Sequence, residues 1–227
     1  MVLPGASGSG GAGGGDDWLL AVDESDADPV SNQVGVGIGT GTSSIEAIAV
    51  HPTSGVVYAV DGGQFGSLDI DSGAFTPIGS GLGTAGGTFG EVALDDIRGL
   101  AFHPLNDRLF GTHRRVGGED VLFRIDVGTG SHMADVFGVG VDYRRVKAVG
   151  SADDVTDIGF DPLDWELYAA VTDGGSYELA TVKVRSGNSK SVGALSQAIF
   201  GLGFDTSGQL WGTTTGALHQ IDKASGG

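Results

Sequence analysis

Large and small side chains alternate in the same short phrase at four places along this chain. The phrase reads "IEAIAVHPTSGVVYAV" from Ile45, "IRGLAFHPLNDRLFGT" from Ile97, "VTDIGFDPLDWELYAA" from Val155 and "IFGLGFDTSGQLWGT" from Ile199. In each copy the large residues recur at every second position: Ile48/Val50, Leu100/Phe102, Ile158/Phe160 and Leu202/Phe204. That period puts them on one face of a β-strand. The other face carries Ala47/Ala49, Gly99/Ala101 and Gly201/Gly203, with Asp157/Gly159 as the exception. A strand so built accepts sheet pressed close on both sides. A polar turn follows, and a second strand begins with Tyr58, Phe110, Tyr168 or Trp211, aromatics that suit a half-buried pleated surface.

Two more strands follow most copies. "SLDID" ends at Asp71, "LFRID" at Asp126 and "LHQID" at Asp222, while "ATVKVR" ends at Arg185 and breaks the pattern. The aspartates are expected to start Gly/Ser turns by bonding nearby backbone. Fourth strands are predicted in "FTPIG" at 75–79, "MADVFG" at 133–138 and "KSVG" at 190–193. Successive copies start 52, 58 and 44 residues apart. Four short antiparallel strands per repeat of roughly 40–45 residues predict an all-β chain folded as a β-propeller with about four recognisable four-stranded blades.

The "GLAFHP…LFGT" hairpin followed by "LFRID…TG" resembles the bacterial propeller repeats of the quinoprotein-like and YVTN-like type. The likeness covers about residues 17–227. It implies architecture rather than activity, because such repeats occur in enzymes and in plain binding scaffolds alike. The predicted division is a disordered Gly/Ser-rich segment at 1–16 and a propeller over 17–227. Its blades fall at about 45–79, 97–138, 155–193 and 199–227, with 18–39 as a partial blade. Within that partial blade "WLLAVDESD" reads as a third strand and Gln33–Gly39 as a fourth. Two arrangements stay open. Gln33–Gly39 supplies the missing outer strand of the last blade and ties a ring shut, or the chain is part of a larger propeller of six to eight blades.

Composition narrows the function classes. The 227 residues include no cysteine, which excludes disulfides, thiolate metal sites and a cysteine nucleophile. The formal net charge of −17 disfavours nucleic acid, whose binding needs cations facing phosphates, and disfavours anionic membrane surfaces. No apolar run reaches the ~18 residues of a membrane helix. An acidic soluble domain of this kind fits an extracellular or periplasmic setting, with any signal peptide upstream of this chain.

Candidate chemistry is sparse. His51 and His103 occupy the positions of Asp161 and Asp205 in the repeat, so they are read as turn-starting residues rather than metal ligands. Gly81–Gly86 matches G-x-G-x-x-G, but no helical period follows and the dinucleotide reading fails. There is no G-x-S-x-G, phosphate loop or HExxH. Asp23, Asp26 and Asp28, with Glu24, could offer oxygen ligands to Ca²⁺, yet they read first as a solvated acidic loop. Asp95-Asp96 and Asp153-Asp154 each precede a first strand, where they line the channel mouth or cap loops.

Five of the 12 basic residues fall in two loops, Arg114, Arg115, Arg144, Arg145 and Lys147. A 2→3 loop and a blade connector emerge on one face. These five, with His113 and Tyr143, are the candidate ligand-binding residues. Charge balancing is the competing reading. The expected function is a non-catalytic exported module that binds protein or carbohydrate through one loop face, with no cofactor. The alternative is part of a propeller enzyme, a quinoprotein-like dehydrogenase or a lyase. Its metal or cofactor would be held by groups from several blades.

Overall fold

The computed structural model describes residues 19–20, 33–34, 45–116, 118–146, 154–215 and 217–227. The 1–16 segment, the acidic loop at 23–28 and Lys147 lie outside the described residues. Strands β1 (Leu19–Leu20) and β2 (Gln33–Val34) pair antiparallel in a small sheet of their own.

The remaining chain builds four blades. The first holds β3 (Ile45–Val50), β4 (Val57–Asp61), β5 (Gln64–Leu68) and β6 (Phe75–Pro77) in that order. A hairpin of β7 (Thr84–Gly87) and β8 (Gly90–Ala93) leads on to the second blade. That blade holds β9 (Ile97–Phe102), β10 (Leu109–His113), β11 (Val121–Asp126), β12 (Ser131–His132) and β13 (Tyr143–Arg145). The third holds β14 (Asp154–Phe160), β15 (Leu167–Asp173), β16 (Ser176–Val182) and β17 (Ser189–Ala194), and the fourth β18 (Gly201–Phe204), β19 (Leu210–Thr213) and β20 (Leu218–Ile221). All pairings within these blades are antiparallel. The protein is an all-β, four-bladed β-propeller.

The innermost strands carry the repeat. β3 packs beside β9, β9 beside β14, and β14 beside β18. Ile48, Leu100, Ile158 and Leu202 occupy matching buried positions in them. Each of these three seams is then closed by an aromatic pair. Tyr58 meets Phe102 at 5.7 Å, Phe110 meets Phe160 at 5.5 Å and Tyr168 meets Phe204 at 5.3 Å between ring centroids. Such tilted pairs contribute ~0.5–1.5 kcal/mol each beyond the area they bury.

Two expectations need adjustment. In the first blade Asp69, not Asp71, starts the turn after the third strand. Its carboxylate accepts the Ser72 amide at 2.7 Å, and its carbonyl accepts the Gly73 amide. The equivalent residue in the third blade is Lys183, so the exception lies there rather than at Arg185. Gly73, Gly130, Gly187 and Gly226 end the four turns with φ between 70° and 80°. In the second blade 133–138 is not a strand. Asp135, Gly138 and Gly140 take positive φ, so the chain leaves the sheet and comes back to it. Tyr143–Arg145 then pairs with Val121–Phe123 as the outer strand.

The histidines act as turn residues. His51 Nδ1 accepts the Thr53 and Ser54 amides, and His103 Nδ1 accepts the Leu105 amide, all at 3.3 Å. Asp161 and Asp205 do the same for Leu163 and Ser207 at 2.8 Å. The Gly81–Gly86 stretch runs straight into the β7–β8 hairpin, with no helix to present a phosphate site.

Candidate functional site

Three of the four innermost strands share an irregularity that strict alternation does not contain. The register slips between Ile45 and Ala47 in β3, opposite the Thr112/His113 step in β9, and between Val155 and Asp157 in β14. The residues left over are Glu46, Arg98 and Thr156, the second position of each repeat. A bulge re-aims the extra side chain. Here it aims three polar ones toward the axis, at the end where the inner strands begin.

These residues line one pocket of about 150 Å³ together with Arg114, Asp154, Val155, Thr172 and Phe200. Asp96 sits between its two guanidiniums, with Arg98 Nε 2.8 Å from one carboxylate oxygen and Arg114 Nε 2.8 Å from the other. Glu46 Oε2 accepts the Ile97 amide at 3.0 Å. Burial, reinforced by Asp96 and opposed by that amide, pushes the Glu46 carboxyl up to about 7. The Thr156 hydroxyl donates to the Ile199 carbonyl at 2.6 Å and keeps acceptor capacity free. The pocket thus offers fork-shaped donors, a carboxyl that titrates near neutrality, a second carboxylate and an aromatic ring within a few ångströms. It has room for one functional group of a ligand rather than a whole large molecule.

Carboxylates also strap the blades together. Glu46 binds the amide of Ile97 in the next blade, Asp120 binds Val155 at 2.7 Å and Asp157 binds Leu202 at 2.6 Å. Burial raises Asp120 to about 7 and Asp157 well above the ordinary range, even against those amides. Asp157 is the one exception to the small-residue face, and this strap is the reason for it.

Of the seven predicted ligand residues six are described, and all but Arg144 divide between the pocket and the Phe89 ring. Arg114 reaches the pocket. His113 is buried beside it, where Nδ1 accepts the Asp96 amide at 3.2 Å and burial lowers its pKa. Arg115 lies 3.6 Å over the Phe89 ring, and Arg145 flanks the same ring while pairing with Glu119 at 2.9 Å. Arg144 donates to the Phe137 and Arg185 carbonyls. Tyr143 is fully buried, its hydroxyl accepting the Phe89 amide at 2.7 Å and donating to the Gly90 carbonyl at 3.1 Å. Tyr143→Phe is expected to cost ~1–2 kcal/mol in a denaturant titration by leaving the Phe89 amide unpaired. Among the described residues no group of three or more His, Asp or Glu side chains could hold a metal ion.

Glu46, Arg98 and Thr156 escaped the sequence reading. The signal was present, since the second position of the repeat varies as Glu, Arg, Thr and Phe while the residue before it is always Ile or Val.

No family model matches the chain, and no curated protein sequence matches it significantly. Solved structures do resemble it. The likeness is one of fold. The PQQ-bound aldose sugar dehydrogenase of Streptomyces coelicolor aligns with a TM-score of 0.49 at 16% identity, covering 79% of this chain and 57% of that one. A gluconolactonase of Xanthomonas campestris aligns with a TM-score of 0.49 at 15% identity, covering 86% and 64%. The extracellular domain of a hybrid two-component system of B. thetaiotaomicron aligns with a TM-score of 0.47 at 13% identity, covering 89% of this chain and 25% of that one. The chain therefore spans less than two thirds of the length of each. Among the described residues no helix is long and apolar enough to cross a membrane.

Proposed function

We propose that this propeller is an exported binding module that recognises a carbohydrate through the polar end of its axis. The observation that supports it is the triple bulge, which spends three irregular positions of an otherwise regular repeat on Glu46, Arg98 and Thr156. A sugar hydroxyl both donates and accepts. The pocket matches that with guanidinium forks of Arg98 and Arg114 and with the oxygens of Glu46, Asp154 and Thr156, while Phe200 offers an apolar surface. A rigid β scaffold holds such groups in place without an ordering cost on binding.

An array of immobilised mono- and oligosaccharides tests this. The wild type is expected to retain a defined subset. Arg98→Ala and Glu46→Gln are expected to weaken that subset tenfold or more at a temperature where all three proteins remain folded. Equal retention by all three proteins overturns the site, and the absence of any retained sugar overturns the ligand class.

Glu46 favours a second reading, an enzyme. A carboxyl raised to about 7 by burial, with the Arg98 guanidinium near it, is suited to general-base chemistry. Metal content and visible absorbance of the purified protein discriminate the two. A stoichiometric ion or a bound chromophore favours the enzyme.

A further inference from the structure

The four turns that join first to second strands share one construction, and one of them carries a residue that construction disfavours. Each passes through left-handed backbone, at Gly55 with φ 71°, Asp107 with 53°, Trp165 with 65° and Gly208 with 81°. Glycine adopts this freely and aspartate tolerates it, but a bulky aromatic there is an outlier. The chain's own repeat shows that glycine serves. Core packing does not explain the tryptophan, because Trp165 is 49% exposed. Strained residues persist where something other than stability retains them.

The surroundings indicate what that is. Asp164 and Glu166 flank Trp165, and both are exposed. Tyr168 reports their field, since burial and then Asp164, Glu166 and Asp161 push its hydroxyl up to about 12. Leu163 in the same turn and Leu105 in the preceding one are 60% and 62% exposed. At this end, opposite the Glu46 pocket, the axis widens into a cavity of about 720 Å³ lined by Phe102, Phe160, Phe204, Pro104 and Pro162 among others.

We propose that this turn face is a second binding surface, independent of the polar pocket, for a protein segment in which basic residues are flanked by apolar ones. A lysine or arginine of the partner lies on the Trp165 indole, held by cation–π attraction and by the charges of Asp164 and Glu166. Its apolar neighbours cover the exposed side chains of Leu163 and Leu105. The net charge of −17 draws such a segment in.

The probe is a synthetic peptide of alternating lysine and leucine, titrated into the whole protein while tryptophan emission and heat are recorded. A peptide with glutamate in place of lysine and a soluble oligosaccharide serve as comparison arms. The lysine peptide is expected to quench saturably and to weaken with salt. Trp165→Gly is expected to lower the affinity at least tenfold while melting at the same or a higher temperature. The double variant Asp164→Asn/Glu166→Gln is expected to lose most of the salt dependence, and Glu46→Gln to bind the peptide like wild type. Equal affinity of Trp165→Gly and wild type overturns the proposal. So does equal binding of the glutamate peptide, no binding of the lysine peptide, or quenching by the oligosaccharide alone.

Discussion

Raising the pH from about 4 to about 8 is expected to weaken this fold by several kcal/mol, with Asp120 among the contributors. Its carboxyl titrates at about 7 in the folded protein against 3.8 ordinarily, because burial outweighs the amides of Arg115 and Val155. A carboxyl whose pKa rises on folding takes up its proton more readily in the folded state. Its contribution is full below 3.8 and is lost as pH climbs through about 7. That difference corresponds to about 4 kcal/mol. Glu46 and Asp157 act in the same direction. Asp69, lowered by its bonds to Ser72, and Asp222, lowered by the Ala224 amide, act oppositely and lose their contribution only as the pH drops below the ordinary carboxylate range. Stability is therefore expected to peak on the acid side of neutrality. Urea titrations across this range check it. Asp120→Asn should make the slope shallower, and a wild-type curve that rises toward pH 8 contradicts the assignment.

Gly130→Ala is expected to destabilise by about 3 kcal/mol or more, from two effects that coincide at one atom. Gly130 has φ 70°, which strains any L side chain. A Cβ there would also lie 2.0 Å from the Ile78 carbonyl oxygen, which is backbone of the preceding blade and cannot step aside. The seam between first and second blades would have to part. Gly55→Ala separates the two effects. Its φ is 71°, but nothing lies within 4 Å of the added atom. Only the conformational penalty of about 1–2 kcal/mol is expected there. Equal melting temperatures of the two variants would show that the blades do not press together at Gly130.

The inner strands were legible in sequence because Ile48, Leu100, Ile158 and Leu202 alternate with small residues, and a period of two has a single structural meaning. The turn role of His51 and His103 was legible because the same place holds Asp161 and Asp205. The β7–β8 hairpin and the outer strand Tyr143–Arg145 occur once each, so no repeat announced them. Tyr143 looked like a surface residue beside arginines, whereas burial of its ring is what returns the chain to the sheet after Gly140. The pocket was hidden for a different reason. A bulge adds one residue without changing the residue types around it, so Glu46, Arg98 and Thr156 looked like ordinary members of their strands. Trp165 was visible in the alignment, but its backbone angle, which makes it unusual, was not.

Among the described residues the straps and seams join each blade to its sequence neighbours, so cooperativity is expected to run from blade to blade. The fourth blade has three strands, and β20 pairs with β19 alone among the described residues. Local opening concentrates where fewest contacts must break. Amide exchange should therefore be fastest in β18–β20 and slowest in β9 and β14. All the charged groups of the polar pocket belong to the first three blades. The last blade can fray and re-form many times while Glu46, Arg98, Arg114 and Asp154 keep their places, though Phe200 and the Ile199 anchor of Thr156 would move with it.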